Sequence, residues 1–331
     1  MRRLILGLLV VLSVAGVSEA LSQTLSGKII YLKDTGKGGR LKLDCWMIKP
    51  SEGIFKRLTS SGNCYNFAVS PDGKYFAYDY QGIWLINLES GQARKEAVVN
   101  AETLTFSPNG RVLFYYDWKQ KIVFRKALGG KPEKLWRVPE DYALSEMVCS
   151  PNGQYLALLM VPTEMTEKQG IFVCNLSIKK VAQITDNWCE GVAWSPDNRG
   201  FFTNVIGVES DKITGADINR IIRFEIKGGV RVRKTTLALE VGYCSPVLSP
   251  DGKALVYDND KGLFLYSLDG KGEKTRQLYQ HPVMKVYWSP DSEWICFQYS
   301  RESKDELYII RKDGSGLTRL IKEGFRPVWV P

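Results

Sequence analysis

The chain has 331 residues, of which 44% are hydrophobic, 11% aromatic and 24% charged, and its formal net charge is +9 at pH 7. This composition is typical of a soluble globular protein with a sizeable core, in one large or two ordinary domains. The only histidine is His281, and no pair of the seven cysteines has metal-ligand spacing. These features argue against a zinc site, and we predict no metal and no cofactor.

The first twenty residues have the pattern of a secretory signal peptide. Arg2 and Arg3 give the positive start, Leu4 to Val17 the apolar stretch, and Ser18 to Ala20 a small-residue cleavage site. The apolar run is short for a bilayer span, which needs about 20 residues. We therefore predict a signal peptide over 1–20 and a periplasmic or secreted protein without stable membrane insertion; the alternative is an uncleaved anchor. Export makes a nucleic-acid partner remote despite the positive charge.

A short motif recurs along the rest of the chain. Each copy is a proline preceded by serine and followed by aspartate or asparagine, and the prolines stand at positions 71, 108, 151, 196, 250 and 290. An apolar strand precedes each copy, and three further short strands follow it, separated by glycine and other polar turn residues. Repeats of about 40 residues with four strands each are typical of a β-propeller.

The motif itself predicts a turn. Proline presets φ at the second position of a turn, aspartate or asparagine bonds its own backbone at the third, and glycine adopts positive φ at the fourth. Asn198 and Ser292 occupy the glycine position in two copies. Asparagine suits a left-handed conformation better than serine does. We interpret every copy as a hinge between two strands and assign no catalytic residue to any of them.

The two ends of the chain together supply the strands of one blade. Before the first full repeat, "KIIYLK" (28–33) begins a unit that lacks its first strand, and "FRPVWVP" (325–331) supplies a first strand after the last repeat. We therefore predict an all-β fold with seven four-stranded antiparallel blades in one domain over 24–331. The ring closes when Val328 and Trp329 pair beside Ile29–Leu32, which protects strand edges. A six-bladed ring is the alternative.

The "WSPD" turns (194–197 and 288–291) and strands such as "GIWLINL" (82–88) resemble the TolB-like, or WD-like, β-propeller repeat. The resemblance covers essentially the whole chain after the signal peptide. It implies the propeller fold but not one function, because such repeats occur in binding scaffolds, in accessory domains of peptidases and in some enzymes. Only about seven residues separate Ala20 from the first strand, so the resemblance is to the propeller without the N-terminal domain of TolB.

Propellers bind ligands at one mouth of the central channel, where loops converge on a rigid frame. Positions five and six residues before each repeat proline should lie at that mouth. They supply an acidic arc and a basic arc that could hold a protein or glycan, and our candidate site residues are Asn66, Glu102, Glu146, Glu190, Lys285 and Arg326. The competing interpretation is that a water-filled channel is polar without binding anything.

Three other features are candidates for special roles. Cys189 and Cys244 occupy nearly equivalent repeat positions, so a disulfide across the mouth is conceivable. The segments Asn204–Arg220 and 161–170 are longer than the repeat needs and are candidate contact arms. The cluster "RVRK" (231–234) could bind a polyanion, although solvated loops explain such charges more simply.

Taken together, the sequence predicts an exported binding or scaffold propeller, monomeric and without catalysis. Its partner would be a protein or polysaccharide of the cell envelope, bound through the channel mouth and the blade loops. Two alternatives stay open. One is a carbohydrate-active or other hydrolytic enzyme that uses the carboxylates at the mouth. The other is a TolB-like component of an envelope complex that docks a partner peptide in the channel.

Overall fold

A computed structural model describes residues 25–37, 40–164, 169–210, 217–237, 239, 241–270, 274–301 and 304–331. The predicted signal peptide lies outside these residues. Within them, 28 strands form seven four-stranded antiparallel sheets, as the repeat predicts, so the six-bladed alternative is wrong. No helix in this part of the chain is long and apolar enough to cross a membrane.

The blades follow one another along the chain, and each sheet is a meander of consecutive strands. Blade 1 contains β1 (Lys28–Asp34), β2 (Leu43–Lys49), β3 (Ile54–Arg57) and the last strand, β28 (Phe325–Val330); blade 2 contains β4 (Phe67–Val69), β5 (Tyr75–Asp79), β6 (Ile83–Asn87) and β7 (Ala93–Ala97); blade 3 contains β8 (Ala101–Phe106), β9 (Val112–Asp117), β10 (Ile122–Ala127) and β11 (Pro132–Arg137).

The other four blades repeat this order. Blade 4 contains β12 (Tyr142–Cys149), β13 (Tyr155–Pro162), β14 (Gly170–Asn175) and β15 (Lys180–Thr185); blade 5 contains β16 (Cys189–Trp194), β17 (Gly200–Ser210), β18 (Asp217–Lys227) and β19 (Val230–Thr236); blade 6 contains β20 (Val247–Leu248), β21 (Ala254–Asn259), β22 (Gly262–Ser267) and β23 (Thr275–Tyr279); blade 7 contains β24 (Met284–Trp288), β25 (Trp294–Arg301), β26 (Lys304–Arg311) and β27 (Thr318–Ile321).

Blade 1 closes the ring by joining strands from both parts of the chain. Strand β28 pairs antiparallel with β1, with Trp329 opposite Ile29 and Val328 opposite Ile30. The indole Nε1 of Trp329 donates a hydrogen bond to the Ser26 carbonyl oxygen at 2.9 Å. The predicted closure is therefore confirmed, and the Trp329 side chain is buried within it.

The hydrophobic core lies between the blades, not inside any one of them. Among the described residues, seven apolar clusters are found, one between each pair of neighbouring blades. Each strand in the middle of a blade buries side chains on both faces, as Leu156–Met160 does in β13. This explains why the middle strands are apolar nearly throughout instead of alternating.

The Ser-Pro-Asp segments are turns, as predicted. In the first copy, the Ser70 hydroxyl donates to Asp72 Oδ1 at 2.6 Å and accepts the Tyr75 backbone N–H at 2.8 Å. Gly73 has φ of 66°, and its N–H donates to the Ser70 carbonyl oxygen at 2.8 Å. The hydroxyl and the carboxylate are thus fully used in holding the turn.

Neighbouring turns also interlock. The Asn152 backbone N–H donates to Asn198 Oδ1 of the next blade at 2.7 Å, and the Asp251 N–H donates to the Ser292 hydroxyl of the next blade at 3.2 Å. Asn198 and Ser292 have φ of 60° and 62°. These two residues occupy positions where glycine would adopt the positive φ at lower cost. Each side chain makes a hydrogen bond between blades that glycine could not make.

Candidate functional site

Chain direction defines two faces of the ring. The Ser-Pro-Asp turns and the turns between third and fourth strands lie on one side, which we call the turn face. The first strands begin on the opposite side, the mouth face, where the hairpins between second and third strands and the links to the next blade also lie. First strands of successive blades contact one another, so they line the centre of the ring.

The first strands are irregular where they reach the mouth face. Their pairing with the second strand shifts at Glu102, at Ser145, at Gly191 and at Lys285, and the corresponding shift in β28 is at Arg326. Lys285 and Arg326 have φ of 43° and 51°. Non-glycine residues rarely adopt such angles, and strained bulges of this kind re-aim side chains and occur near functional sites.

Arg326 is held in its bulge from both sides. Its backbone N–H donates to Gln298 Oε1 of blade 7 at 3.0 Å, and its Nη1 donates to the Tyr65 carbonyl oxygen of blade 2 at 2.9 Å. The Gln298 side chain is buried, with 5% of its surface exposed. The guanidinium therefore bridges blades 1 and 2 at the mouth and keeps further donor groups for a ligand.

Glu190 and Lys285 both act electrostatically on Glu146, and Glu146 and Arg326 both act on Tyr287. Burial raises the pKa of the Glu146 carboxyl to about 7; the Glu190 charge raises this pKa further, and the Lys285 charge lowers it. Burial also raises the pKa of Tyr287, as does Glu146, whereas Arg326 lowers it. Glu146 lies in blade 4 and Lys285 in blade 7, so these interactions cross the centre of the ring.

No carboxylate of a described residue lies within 4 Å of the Lys285 ammonium or the Arg326 guanidinium. Opposite charges therefore face each other across the channel without closing into an ion pair. Such an arrangement can receive a zwitterionic or mixed-charge group between the arcs. A strongly shifted carboxyl in a concave site is also a typical sign of function.

The other two predicted residues lie apart from this group. Burial raises the pKa of Tyr116, and the Glu102 charge raises it further. Glu102 is not among the charges that shift the pKa of Glu146. The Asn66 carbonyl oxygen accepts the Asp79 N–H at 3.1 Å, which fixes the start of blade 2. Sequence spacing places both residues on the mouth face, but it does not show which side chains share one electrostatic environment.

Sequence reasoning missed a set of exposed aromatic side chains. Five exposed aromatics occur among the described large hydrophobic residues, and they are Tyr65 (44% exposed), Trp118 (50%), Trp188 (45%), Tyr243 (76%) and Tyr287 (37%). Four of them stand in mouth-face loops and Tyr287 in a first strand. Apolar residues in loops that the repeat places on one face are a signal that could have revealed them.

The disulfide considered between Cys189 and Cys244 does not form. Cys189 and Cys244 are both free and buried, and the disulfide instead joins Cys45 of β2 to Cys64 in the link to blade 2, with their Cα atoms 6.4 Å apart. Burial raises the pKa of the Cys189 thiol to about 12. Similar repeat positions do not by themselves determine the separation and direction of two side chains, whereas Cys45 and Cys64 have a Cα separation that suits a disulfide.

The two long segments extend the mouth-face hairpins of neighbouring blades. In blade 5, β17 and β18 each reach 11 residues, so the segment Asn204–Arg220 is largely strand and not an irregular loop. In blade 4, β13 runs to Pro162 before β14 begins at Gly170. The tips over 211–216 and 165–168 lie outside the described residues.

Two grooves lie on the turn face, away from these residues. One, of about 450 Å³, is lined by Ser249, Asp251 and Trp288, and another, of about 490 Å³, by Ser107, Asn152 and Leu176. Both occupy the same position between two neighbouring blades. Since they recur with the repeat, we attribute them to blade geometry. No cluster of three potential metal-ligating side chains occurs in the described part of the chain.

No protein-family model matches the chain, and no curated protein matches its sequence. Solved structures do match. TolB from Acinetobacter baumannii has 13% identity and a TM-score of 0.54, over 95% of this chain and 86% of that one. Oligogalacturonate lyase from Vibrio parahaemolyticus has 14% identity and a TM-score of 0.61, over 90% of this chain and 86% of that one.

The tricorn protease is a further structural relative, with 12% identity and a TM-score of 0.63, over 92% of this chain but only 36% of that one. At such identities the likeness extends to the fold alone, and the fold hosts proteins with different activities. The chain is therefore similar in fold to the TolB-like propellers, as its repeat predicts.

Proposed function

We propose that this chain is an exported binding propeller that captures a protein or glycan partner at its mouth face and performs no catalysis. One observation carries the proposal: four of the five exposed aromatic side chains in the described part of the chain stand in loops of the mouth face, where the predicted site residues Glu146, Glu190, Lys285 and Arg326 also lie. Exposed tyrosine and tryptophan are enriched where proteins bind partners.

The two sets of residues supply different parts of recognition. Aromatic rings such as Trp118 and Trp188 provide contact area at little cost in conformational entropy, because they have few rotatable bonds. The charged groups within the channel would orient the partner, since like charges placed opposite each other are costly. The interlocked blades hold both sets in place, which reduces the ordering cost of binding.

Export is part of the proposal. The pattern of residues 1–20 favours a secretory signal, and the Cys45–Cys64 disulfide is of a kind that persists in oxidising compartments. The remaining five cysteines are free, and four of them are buried. Burial would protect those thiols from unwanted pairing during folding outside the cytoplasm.

The proposal is tested by partner capture from cell-envelope extract and from an array of envelope glycans. We expect the double substitution Trp118→Ala/Trp188→Ala to reduce capture at least tenfold. The matched control is Ile178→Ala/Leu317→Ala, which removes two exposed apolar side chains from the turn face. Equal capture by both variants would exclude the mouth face as the binding surface.

A second candidate function rests on Glu146. A carboxyl with a pKa of about 7 suits a general acid near neutral pH, so hydrolysis of a polysaccharide at the mouth is the alternative. A turnover assay on envelope glycans separates the two functions. An enzyme would lose turnover in Glu146→Gln while still binding substrate, whereas a binding propeller releases no product in either form. A TolB-like role in an envelope complex would appear as stable retention of a protein partner.

A further inference from the structure

The outermost strands of the blades carry an unusual charge balance. The seven fourth strands together contain twelve lysines and arginines but only two acidic residues, Glu96 and Glu133. The whole chain, by comparison, has 45 lysines and arginines and 36 acidic residues. Each fourth strand forms the outer edge of its sheet. Positive charge on an edge prevents two copies from pairing edge to edge, because like charges would then face each other.

Strand β19 (Val230–Thr236) of blade 5 differs from the other six outer strands. It has 7 residues, whereas the others have four to six, and every one of its residues is exposed. Arg231, Arg233 and Lys234 give it three positive charges. Val230 and Val232 leave 51% and 57% of their surfaces exposed. This is therefore the longest open edge of the ring.

The charges on this strand are not neutralised by their neighbours. Arg231 is engaged, since its Nη1 donates to the Ile184 carbonyl oxygen at 2.9 Å. Arg233 and Lys234, by contrast, have no carboxylate of a described residue within 4 Å. Glu225 lies opposite Arg233 in the strand register without forming an ion pair.

The backbone of this edge is suited to accept another strand. The pairing with β18 shifts at Val232, and from Arg233 to Thr236 it is regular. Alternate residues of this regular stretch therefore present unpaired N–H and C=O groups along the open edge. Arg233 and Lys234 are adjacent, so their side chains point to opposite faces of the sheet. An incoming strand would need acidic side chains on both faces.

We propose that β19 binds an extended acidic peptide segment of a partner protein, which adds a fifth strand to blade 5. Main-chain hydrogen bonds to Arg233–Thr236 supply the ladder, and acidic residues of the peptide pair with Arg233 and Lys234. The same positive charges that keep a second copy away complement this partner. The site lies on the rim of the ring and is separate from the mouth face, so it does not depend on the function proposed there.

The test uses a fluorescein-labelled peptide with two adjacent glutamates flanked by valine and threonine, titrated with the full chain and followed by anisotropy. We expect Arg233→Glu/Lys234→Glu to weaken binding at least tenfold. The matched control, Lys134→Glu/Arg137→Glu on β11 of blade 3, makes the same change of charge on another outer strand. We expect it to alter the affinity less than twofold.

Two further measurements separate strand addition from simple charge attraction. N-methylation at alternate peptide residues keeps the charges but removes donors, so it should abolish binding. Hydrogen exchange at the amides of Arg233–Thr236 should slow when the unmodified peptide is present. The proposal is overturned if the peptide does not bind, if the methylated peptide binds equally well, if both charge-reversed variants weaken it equally, or if dextran sulfate binds while the peptide does not.

Discussion

The Glu146 carboxyl of blade 4 and the Lys285 ammonium of blade 7 act on each other across the centre of the ring. Burial favours the protonated form of Glu146, and the Lys285 charge opposes that effect by favouring the carboxylate. The balance leaves a carboxyl whose pKa is about 7, so the charge of the channel changes close to neutral pH.

The first prediction concerns this pair. Lys285→Met removes a cation that lowers the Glu146 pKa, so the pKa should rise above about 7. Glu190→Gln removes a neighbouring negative charge and should move the same pKa downward. Carboxyl carbon NMR titration, assigned with Glu146→Gln, measures both shifts. Lys134→Met on the outer rim is the control; a shift there as large as in Lys285→Met would refute the pairing.

The second prediction concerns stability against pH. The folded-state pKa of Glu146 lies above its ordinary value of 4.5, so the folded chain binds more protons than the unfolded chain between about pH 4.5 and 7. The free energy of unfolding should therefore fall as pH rises through that window. Glu146→Gln should be more stable than the wild type by about 1–2 kcal/mol at pH 8, after discounting for solvent in the channel, and no more stable at pH 4.

Urea unfolding at both pH values measures this difference. The outcome that contradicts it is a gain in stability of equal size at pH 4 and pH 8. Such a result would mean that the substitution acts through packing and not through the proton.

The third prediction concerns the interlocked turns. Gly252 has φ of 72°, and a Cβ atom there would lie 3.0 Å from Pro196 Cδ of the preceding blade. Gly270 has the same φ, with open space around it. Gly270→Ala should cost about 1–2 kcal/mol from the backbone alone, and Gly252→Ala should cost more because the neighbouring turn must also move. Thermal unfolding measures both; equal losses would show that the contact between turns contributes nothing.

The fourth prediction concerns ring closure. Trp329 is 5% exposed and bonds to Ser26, so Trp329→Ala should reduce the free energy of unfolding by about 3–5 kcal/mol. Trp118 is 50% exposed on the mouth face, and Trp118→Ala should change stability by no more than about 0.5 kcal/mol. Denaturant unfolding compares them. A loss as small as that of Trp118→Ala would mean that β28 is dispensable.

The fold could be predicted from the sequence because its signals are local and repeated. Proline, aspartate and glycine at Pro71, Asp72 and Gly73 dictate a turn wherever they occur together, and six copies of the turn with the complementary chain ends predict seven blades. The register of closure was also predictable, since Trp329 stands where Trp288 stands in its own repeat.

The site could be predicted only in part, because a local sequence pattern does not determine which side chains lie close together across the ring. Spacing placed Glu102 and Glu146 together on the mouth face, yet only Glu146 shares an environment with Lys285. The angle between blades and the direction of each bulge decide such contacts. The same limit explains why sequence left the pairing of Cys189 with Cys244 open, since repeat position gives no distance between two side chains.

All six turns that follow the first strands have one length, five residues, from 70–74 in blade 2 to 289–293 in blade 7. Hairpins on the opposite side range from Asp260–Lys261 in blade 6 to the long extension of blade 5. Because each turn nests against the next, an inserted residue there would disturb two blades at once, whereas an insertion at the other side projects into water. Related chains that differ in length should therefore differ in their mouth-face hairpins. Those hairpins can acquire new specificities while the turn face preserves the architecture.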